Sequence, residues 1–361
     1  MLVIVYNIYF PNLANCFDIS KYSSILVTIF KQIMRKAFLL SVMLLLAAPM
    51  YSQNAVDSMF VDLRSSFHQE TTNGVYDSQI RGEHLNFHMH GHITRDINYR
   101  IRHSLCKLPI VPNNAFNATD IMYVNWNMNE HWSFLAGKYA VLIGGYEYDA
   151  APIDVYYYSK FCNNIYQGFT FGASATYHFS RKQAVVAQIC NSPLSLGVSN
   201  IYAYNLGWTG EFMPWWKTIW TFNMVEDQQH KFINYISLGN HFILGDAILD
   251  LDVMNRGNFS QSRFLFSDMT LISKFIWSVG NWNLCAKAGY EWNKDFNVDG
   301  NGRAYDLVIA PGTEYVYAGC GLEWFPFGRD GLRLHAVYYR DSDGSRNNFE
   351  LGITCRLDII R

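Results

Sequence analysis

The sequence predicts an all-β fold: an antiparallel transmembrane β-barrel of about sixteen strands, with a long third extracellular loop folded into the pore. Three observations carry that expectation. Apolar residues recur with a period of two from about residue 56 onward, the links between the resulting strands alternate short and long, and tryptophans gather beside the short links.

The period comes first. The chain has 361 residues, 50% of them hydrophobic and 16% aromatic, yet its mean hydropathy is close to zero because apolar and polar residues are interleaved. After residue 53 there is no run of the roughly 20 apolar residues that a transmembrane helix requires. In the last segment Phe349, Leu351, Ile353, Cys355, Leu357 and Ile359 alternate with Glu350, Gly352, Thr354, Arg356 and Asp358. One face is apolar and the other is wet, as a membrane strand beside an aqueous lumen requires. The same two-faced pattern runs through Trp282, Leu284, Ala286, Ala288 and Tyr290, through Leu332, Leu334 and Ala336, and through Phe169, Phe171, Ala173, Ala175 and Tyr177.

Read in order, the strands are expected near 56–66, 83–93, 97–105, 119–128, 132–140, 168–178, 183–190 and 200–209. The second half of the chain continues with 215–224, 231–242, 246–254, 263–276, 281–292, 313–324, 331–340 and 347–359. Tight links fall at 94–96, 129–131, 180–182, 210–214, 243–245, 279–280 and 325–330. Longer links fall at 67–82, 106–118, 141–167, 191–199, 225–230, 255–262, 293–312 and 341–346. Such alternation fits an even-stranded barrel with periplasmic turns, extracellular loops and both termini in the periplasm. Of ten tryptophans, eight lie close to the short links: Trp126, Trp132, Trp208, Trp215, Trp216, Trp277, Trp282 and Trp324. Indole prefers the headgroup boundary, so a girdle at one end is expected of a barrel and not of a soluble sandwich.

The N-terminus carries an export signal in an unusual place. Met34-Arg35-Lys36, then Ala37-Phe38-Leu39-Leu40 and 43–48, read as a charged region and an apolar core, with small or polar residues at Ser52 and Gln53 for cleavage. Residues 1–33 are then an upstream extension, 34–53 a signal peptide and 54–361 the barrel. Without residues 1–53 the net charge moves from −2 to −5, because four basic side chains and one acidic one are lost. A mildly acidic chain gives no support for nucleic-acid binding. Six cysteines remain, Cys106, Cys162, Cys190, Cys285, Cys320 and Cys355, without CxxC or zinc spacing, and inert packing is expected of them.

The 141–167 link is the longest, and carries Glu147, Asp149, Asp154 and Lys160 amid Tyr146, Tyr148, Tyr156, Tyr157 and Tyr158. Its aromatic content predicts packing against something, and folding inward to narrow the pore is the sharper of two readings, a packed surface loop being the other. Gly137-Lys138, Gly144-Gly145-Tyr146-Glu147, Pro152, Asp154, Tyr156, Tyr158-Ser159 and Phe161, with Asn205-Leu206-Gly207-Trp208, give a pattern that resembles the phosphate-selective porin O and P family, especially its Bacteroidetes-type versions. The resemblance runs from about residue 58 to the C-terminus. It implies a sixteen-stranded homotrimeric channel whose third extracellular loop constricts the pore, and by count 141–167 is that loop. Lys138, Tyr146, Glu147, Asp149, Asp154 and Lys160 are the candidate constriction residues.

Selectivity in the family depends on basic residues in the pore, whereas the inward candidates here are mixed in sign. Arg64, Arg100, Arg102, Lys217, Lys287, Arg333 and Arg356 are set against Asp62, Asp250, Asp252, Asp268, Glu291, Glu350 and Asp358. The balance does not assign anion preference. His84, His88, His90 and His92 share one face of a strand with Asn86, and three outcomes are open for them: a polar lumen wall, a zinc or copper site, or a wall that becomes cationic near pH 6. Asp295, Asn297, Asp299 and Asp306, with Gly300, reproduce the spacing of a calcium loop, although Arg303 stands where an oxygen ligand is usual; an ordinary Asn/Asp/Gly loop is the alternative.

Signatures of an enzyme are missing: there is no GxSxG, no HExxH and no phosphate-binding glycine loop. The expected function is a passive outer-membrane channel for small hydrophilic solutes or ions, anions such as phosphate included, needing no cofactor and surrounded by outer-membrane lipid. A non-conducting barrel for adhesion or assembly, or a barrel-embedded hydrolase, would be the alternatives.

Overall fold

The computed structural model describes residues 55–106, 115–165, 168–194, 199–258, 263–294, 312–329 and 331–360. The extension and signal peptide expected at 1–53 lie outside them. The strands are β1 (Ser58–Thr72), β2 (Val75–Thr94), β3 (Ile97–Ser104), β4 (Thr119–Asn127), β5 (Trp132–Ala140), β6 (Phe169–Ser180), β7 (Gln183–Asn191) and β8 (Tyr202–Met213). They continue as β9 (Trp216–Glu226), β10 (Phe232–Leu244), β11 (Ala247–Asn258), β12 (Asp268–Val279), β13 (Trp282–Asn293), β14 (Thr313–Trp324), β15 (Leu332–Asp341) and β16 (Asn347–Ile360). Each pairs antiparallel with its sequence neighbours, and β1 closes on β16.

Closure is consistent with the period of two. Leu284 lies opposite Leu322, Leu322 opposite Ala336, Ala336 opposite Leu351, Leu351 opposite Phe67 and Phe67 opposite Ile80, an unbroken outward row across the seam. One residue away, Asn283, Glu323, His335, Gly352 and Ser66 form the corresponding inward row. A shift of one residue at any strand would turn its apolar set into the lumen, so the two-faced pattern holds the register.

All seven tight links fall at one end of the barrel. Gly245 and Gly280 take positive φ there, 67° and 55°, which lets the two-residue turns match the strand twist. Trp126, Trp132, Trp215, Trp277, Trp282 and Trp324 stand exposed around that rim, and Trp282 stacks on Trp324 with centroids 5.6 Å apart.

One long link is absent. The segment 67–82 is not a loop: β1 and β2 run on to a two-residue turn at Asn73-Gly74, whose φ values of 51° and 80° are those of an Asn-Gly hairpin. The alternation fades there because both faces meet water, and polarity alone made the segment read as a loop. The twelfth strand is likewise displaced, to 268–279 rather than 263–276.

An apolar core also exists inside the barrel. Cys190, Ala203, Val225, Ile233, Tyr235, Met254 and Ile272, inward residues of β7 to β12, are buried with Val141, Ile143, Phe161 and Ile165 of the long link after β5. A water-filled lumen would not place these side chains inward; they are the bed on which that link lies. The six cysteines among the described residues are free: Cys190 is in this core and Cys162 packs against it, whereas Cys106 and Cys320 are exposed.

Ala288 sits outward near the middle of β13, between Ser273 and Ala318. Ala288→Arg is expected to lower the unfolding free energy in lipid vesicles by about 2–4 kcal/mol, the cost of a guanidinium near the bilayer midplane. An unchanged denaturant midpoint would mean that this face meets water.

Candidate pore constriction

The link after β5 folds into the barrel and is tied to the wall mainly through its own backbone. Its first helical turn, Tyr146–Asp149, has two amide N–H groups without intrahelical partners, and the Asp252 carboxylate of β11 accepts both, from Tyr146 at 2.9 Å and Glu147 at 2.8 Å. Its last, Lys160–Asn164, is met in the same way by Glu291 of β13, which accepts from Lys160 at 2.7 Å and Phe161 at 3.0 Å. Anionic groups suit helix N-termini because the unpaired N–H groups there are positively polarised.

Glycine makes the first contact possible. A Cβ at Gly145 would lie 2.1 Å from Asp252 Oδ1, and one at Gly239 of β10 would lie 2.9 Å from the Gly145 Cα. The sequence pair Gly144-Gly145 is therefore the point where loop backbone meets wall.

Between the two turns the loop is gripped by cations. Arg64 of β1 donates to the carbonyls of Ile153 at 3.2 Å and Val155 at 2.9 Å, while its Nε is paired with Glu83. Arg333 of β15 donates to the Ile153 carbonyl at 2.8 Å and pairs with Asp154 at 3.0 Å and Glu323 at 3.1 Å. Lys287 of β13 pairs with Glu147 at 3.1 Å and donates to the Tyr157 carbonyl; Glu147 in turn accepts from the Ser159 amide at 2.7 Å.

Tyrosines finish the attachment. The Tyr156 hydroxyl donates to Glu323 at 2.7 Å, and that of Tyr157 contacts Tyr315 and Asp341. Burial pushes both phenols well above their ordinary range, so they act as neutral donors. Tyr146 stacks on His241 at 5.1 Å. Lys160 reaches outward to Asp343 at 3.1 Å. Asp149 is exposed at the loop's free side, its carboxyl raised by desolvation with Arg100 opposing.

Lys138 does not belong to this constriction. It stands on β5 in register with Met122 and Phe171, on the outward face shared by Phe134 and Ala136, and its ammonium donates to the Phe116 carbonyl at 2.6 Å. The period of two decides this, since Tyr139, not Lys138, has inward parity.

The histidine face is inward, but its members have separate partners. His84 meets Arg64 Nη2 at 3.0 Å, His88 pairs with Asp62 at 3.1 Å, His90 lies opposite Arg100, and His92 pairs with Asp57. Arg102 lies opposite His88 and is 3.6 Å from Asp120; Arg356 meets Asp62 at 3.0 Å. Among the described residues no three His, Cys, Asp or Glu side chains converge as a metal ion would require. The calcium pattern Asp295, Asn297, Asp299 and Asp306 lies outside the described residues.

Asp252, Glu291, Arg64 and Glu323 are the attachment residues that sequence reasoning did not single out as a site. The first three were legible only as inward charges. Their partners are more than 80 residues away in the chain, so no local pattern announces them.

Asp252→Ala is expected to remove two charge-assisted bonds, worth roughly 3 kcal/mol or more together, and to give larger, noisier single-channel steps as the loop loosens. Gly145→Ala should do the same by its clash, whereas Gly82→Ala, with no atom within 4 Å of the added Cβ, should behave as wild type.

Residues 57–213 match the family model described as phosphate-selective porin O and P. No curated protein sequence matches the chain. Among solved structures, OprB of Pseudomonas putida has a TM-score of 0.59 at 8% identity, covering 83% of this chain and 94% of its own. OmpT of Vibrio cholerae, in-vitro folded, has a TM-score of 0.56 at 11% identity, with 86% and 100% coverage, and its trimer form a TM-score of 0.55 at 11% identity, with 83% and 98%. At such identities these likenesses show the fold alone, a closed β-barrel. Residues 57–213, which run from β1 to β8 and hold the inserted third long link, are thus similar to the phosphate-selective porin O and P family, and the sixteen-stranded closed barrel accords with that similarity.

Proposed function

We propose that this porin is a passive outer-membrane channel for small hydrophilic solutes and ions, acting as a homotrimer after cleavage of a signal peptide at 34–53, with 1–33 an upstream extension. The observation that carries the reading is the inserted loop, held by carboxylates at both helical turns and by Arg64, Lys287 and Arg333 between them.

Those anchors also bear on selectivity. Arg64, Lys287, Arg333 and Arg356 are each engaged with a carboxylate, Glu83, Glu147, Asp154 and Asp62 respectively. Charges spent in this way hold protein together and add little net field for a passing ion. The hydrogen bonds described for the loop reach β1, β7, β9, β11, β13, β14 and β15. Solutes then pass along β2 to β5, where Arg100, Arg102, His84, His88 and His90 face Asp149 and Asp120; the two guanidiniums balance the two carboxylates, so weak anion preference depends on protonation of the histidines.

The second reading is a barrel plugged by its loop, used for adhesion or assembly, and the number of anchors favours it. Planar bilayers separate the two. The channel reading expects stable conductance steps with a reversal potential in a KCl gradient that lies on the anion side near pH 5, where the histidines are protonated, and that the Arg100→Glu, Arg102→Glu double variant moves toward the cation side. Absence of steps from correctly folded protein would leave the plugged barrel.

A further inference from the structure

The outward face of β13 carries an indole at each end. Trp282 belongs to the rim at the tight links, and Trp292 stands ten positions further along the same face. At about 3.3 Å per residue and a tilt of about 40°, ten positions rise roughly 25 Å, the height of a barrel's apolar band. Trp292 therefore marks the opposite boundary, where acyl chains give way to headgroups on the long-link side.

At that level the chain entering β12 folds back over the outer wall and is pinned there by its backbone. Asn255 of β11, outward in parity between inward Met254 and Arg256, donates its amide to the Phe264 carbonyl at 3.1 Å and accepts from the Phe266 amide at 2.8 Å. The Trp292 indole donates to the Phe266 carbonyl at 3.1 Å, and the Lys294 amide to the Ser267 carbonyl at 2.7 Å. A Cβ at Gly257 would lie 2.8 Å from the Phe264 carbonyl, so the segment rests directly on the sheet. With their backbone held in this way, Leu265 and Phe266 are 49% and 71% exposed. Phe266 has a φ of 66°, in the left-handed region that a bulky side chain rarely adopts. Glycine would hold that turn without strain, so an aromatic ring is displayed here at a conformational cost.

Cations flank the display. Arg263 opens the segment and is exposed, and the Lys294 ammonium lies 5.8 Å from the centroid of the Trp292 ring. Glu314 stands opposite Trp292 on β14 and is bonded by the hydroxyl of Tyr290, which stacks on Trp292 at 4.8 Å. Two positive groups thus face one carboxylate that already has a donor. We propose that this fold-back, with Trp292 and Lys294, is a seat for a phosphate-bearing acyl lipid of the leaflet on the long-link side. The acyl chains lie along Leu265 and Phe266, and the phosphate is met by Arg263 and Lys294. Charge decides for lipid over a purely apolar partner: basic side chains at a membrane surface attract anionic headgroups, and aromatic rings at the same level enter the acyl boundary.

The test titrates the full chain in mild detergent with dimyristoyl phosphatidic acid, and with dimyristoylglycerol as the same chains without phosphate. Native mass spectrometry reads the bound lipid, and heat-modifiable gel mobility proves folding. The Arg263→Gln, Lys294→Gln double variant is expected to bind phosphatidic acid about tenfold or more weakly, with dimyristoylglycerol unaffected. Phe266→Gly should weaken both lipids without lowering the unfolding midpoint, because glycine relieves the backbone. Lys182→Gln, at the tight-link end, should behave as wild type. Phosphatidic acid binding that is unchanged in the double variant overturns the seat. Its complete displacement by inorganic phosphate makes the cations a free-anion site and overturns the lipid as occupant. A lowered midpoint in Phe266→Gly makes the ring a packing group and overturns its contact with acyl chains. Lipid retention is read without conductance, so each outcome is independent of whether the lumen is open.

Discussion

The closed hydrogen-bond ladder is the constraint from which the rest of this molecule follows. In hydrocarbon each backbone N–H and C=O must find a partner inside the protein, and β1 pairing with β16 leaves no edge within the membrane to go without one. Closure divides every strand into an inward and an outward set, and the division persists around all sixteen. Wherever a side chain departs from it, some other contact accounts for the departure.

The inward departures belong to the inserted loop. Val225, Ile233, Tyr235, Met254 and Ile272 are apolar where water is expected, and they are buried under Phe161 and Ile143. Deeper in the lumen, polar wall groups serve as attachment points: Asp252 and Glu291 accept backbone N–H groups, while Arg64 and Arg333 donate to backbone carbonyls. Each ion is matched by a hydrogen-bonded partner, which is the condition under which buried charge is tolerated. Glu291 is itself held by Thr270, which also bonds Arg256. The aperture is thus determined by a network and not by loop length.

Two of the outward departures lie together. Lys138 and His103 are polar where lipid is expected, and both occur where the strands are shortest. A basic residue identified from a pore motif thus sits on the opposite side of the wall. Parity along β5 was available from the sequence, since Trp132, Phe134 and Ala136 lead directly to Lys138, and motif and period disagreed at that one residue.

What the sequence by itself determined is the barrel: strand number, the face of each residue, the rim of tryptophans and the third long link as the distinctive element. These are legible because side-chain direction in a strand depends only on position parity, and bilayer chemistry enforces the same parity on every strand. The segment 67–82 reads as a loop because water on both faces removes that enforcement, and it is a hairpin. Tertiary structure alone decided which inward charges remain available to a solute and which hold the loop. Asp252 and Asp250 have identical parity and chemistry, yet Asp252 receives two amides while Asp250 meets His241 at 2.6 Å. The difference arises from where a segment a hundred residues distant comes to rest, and no local pattern encodes that.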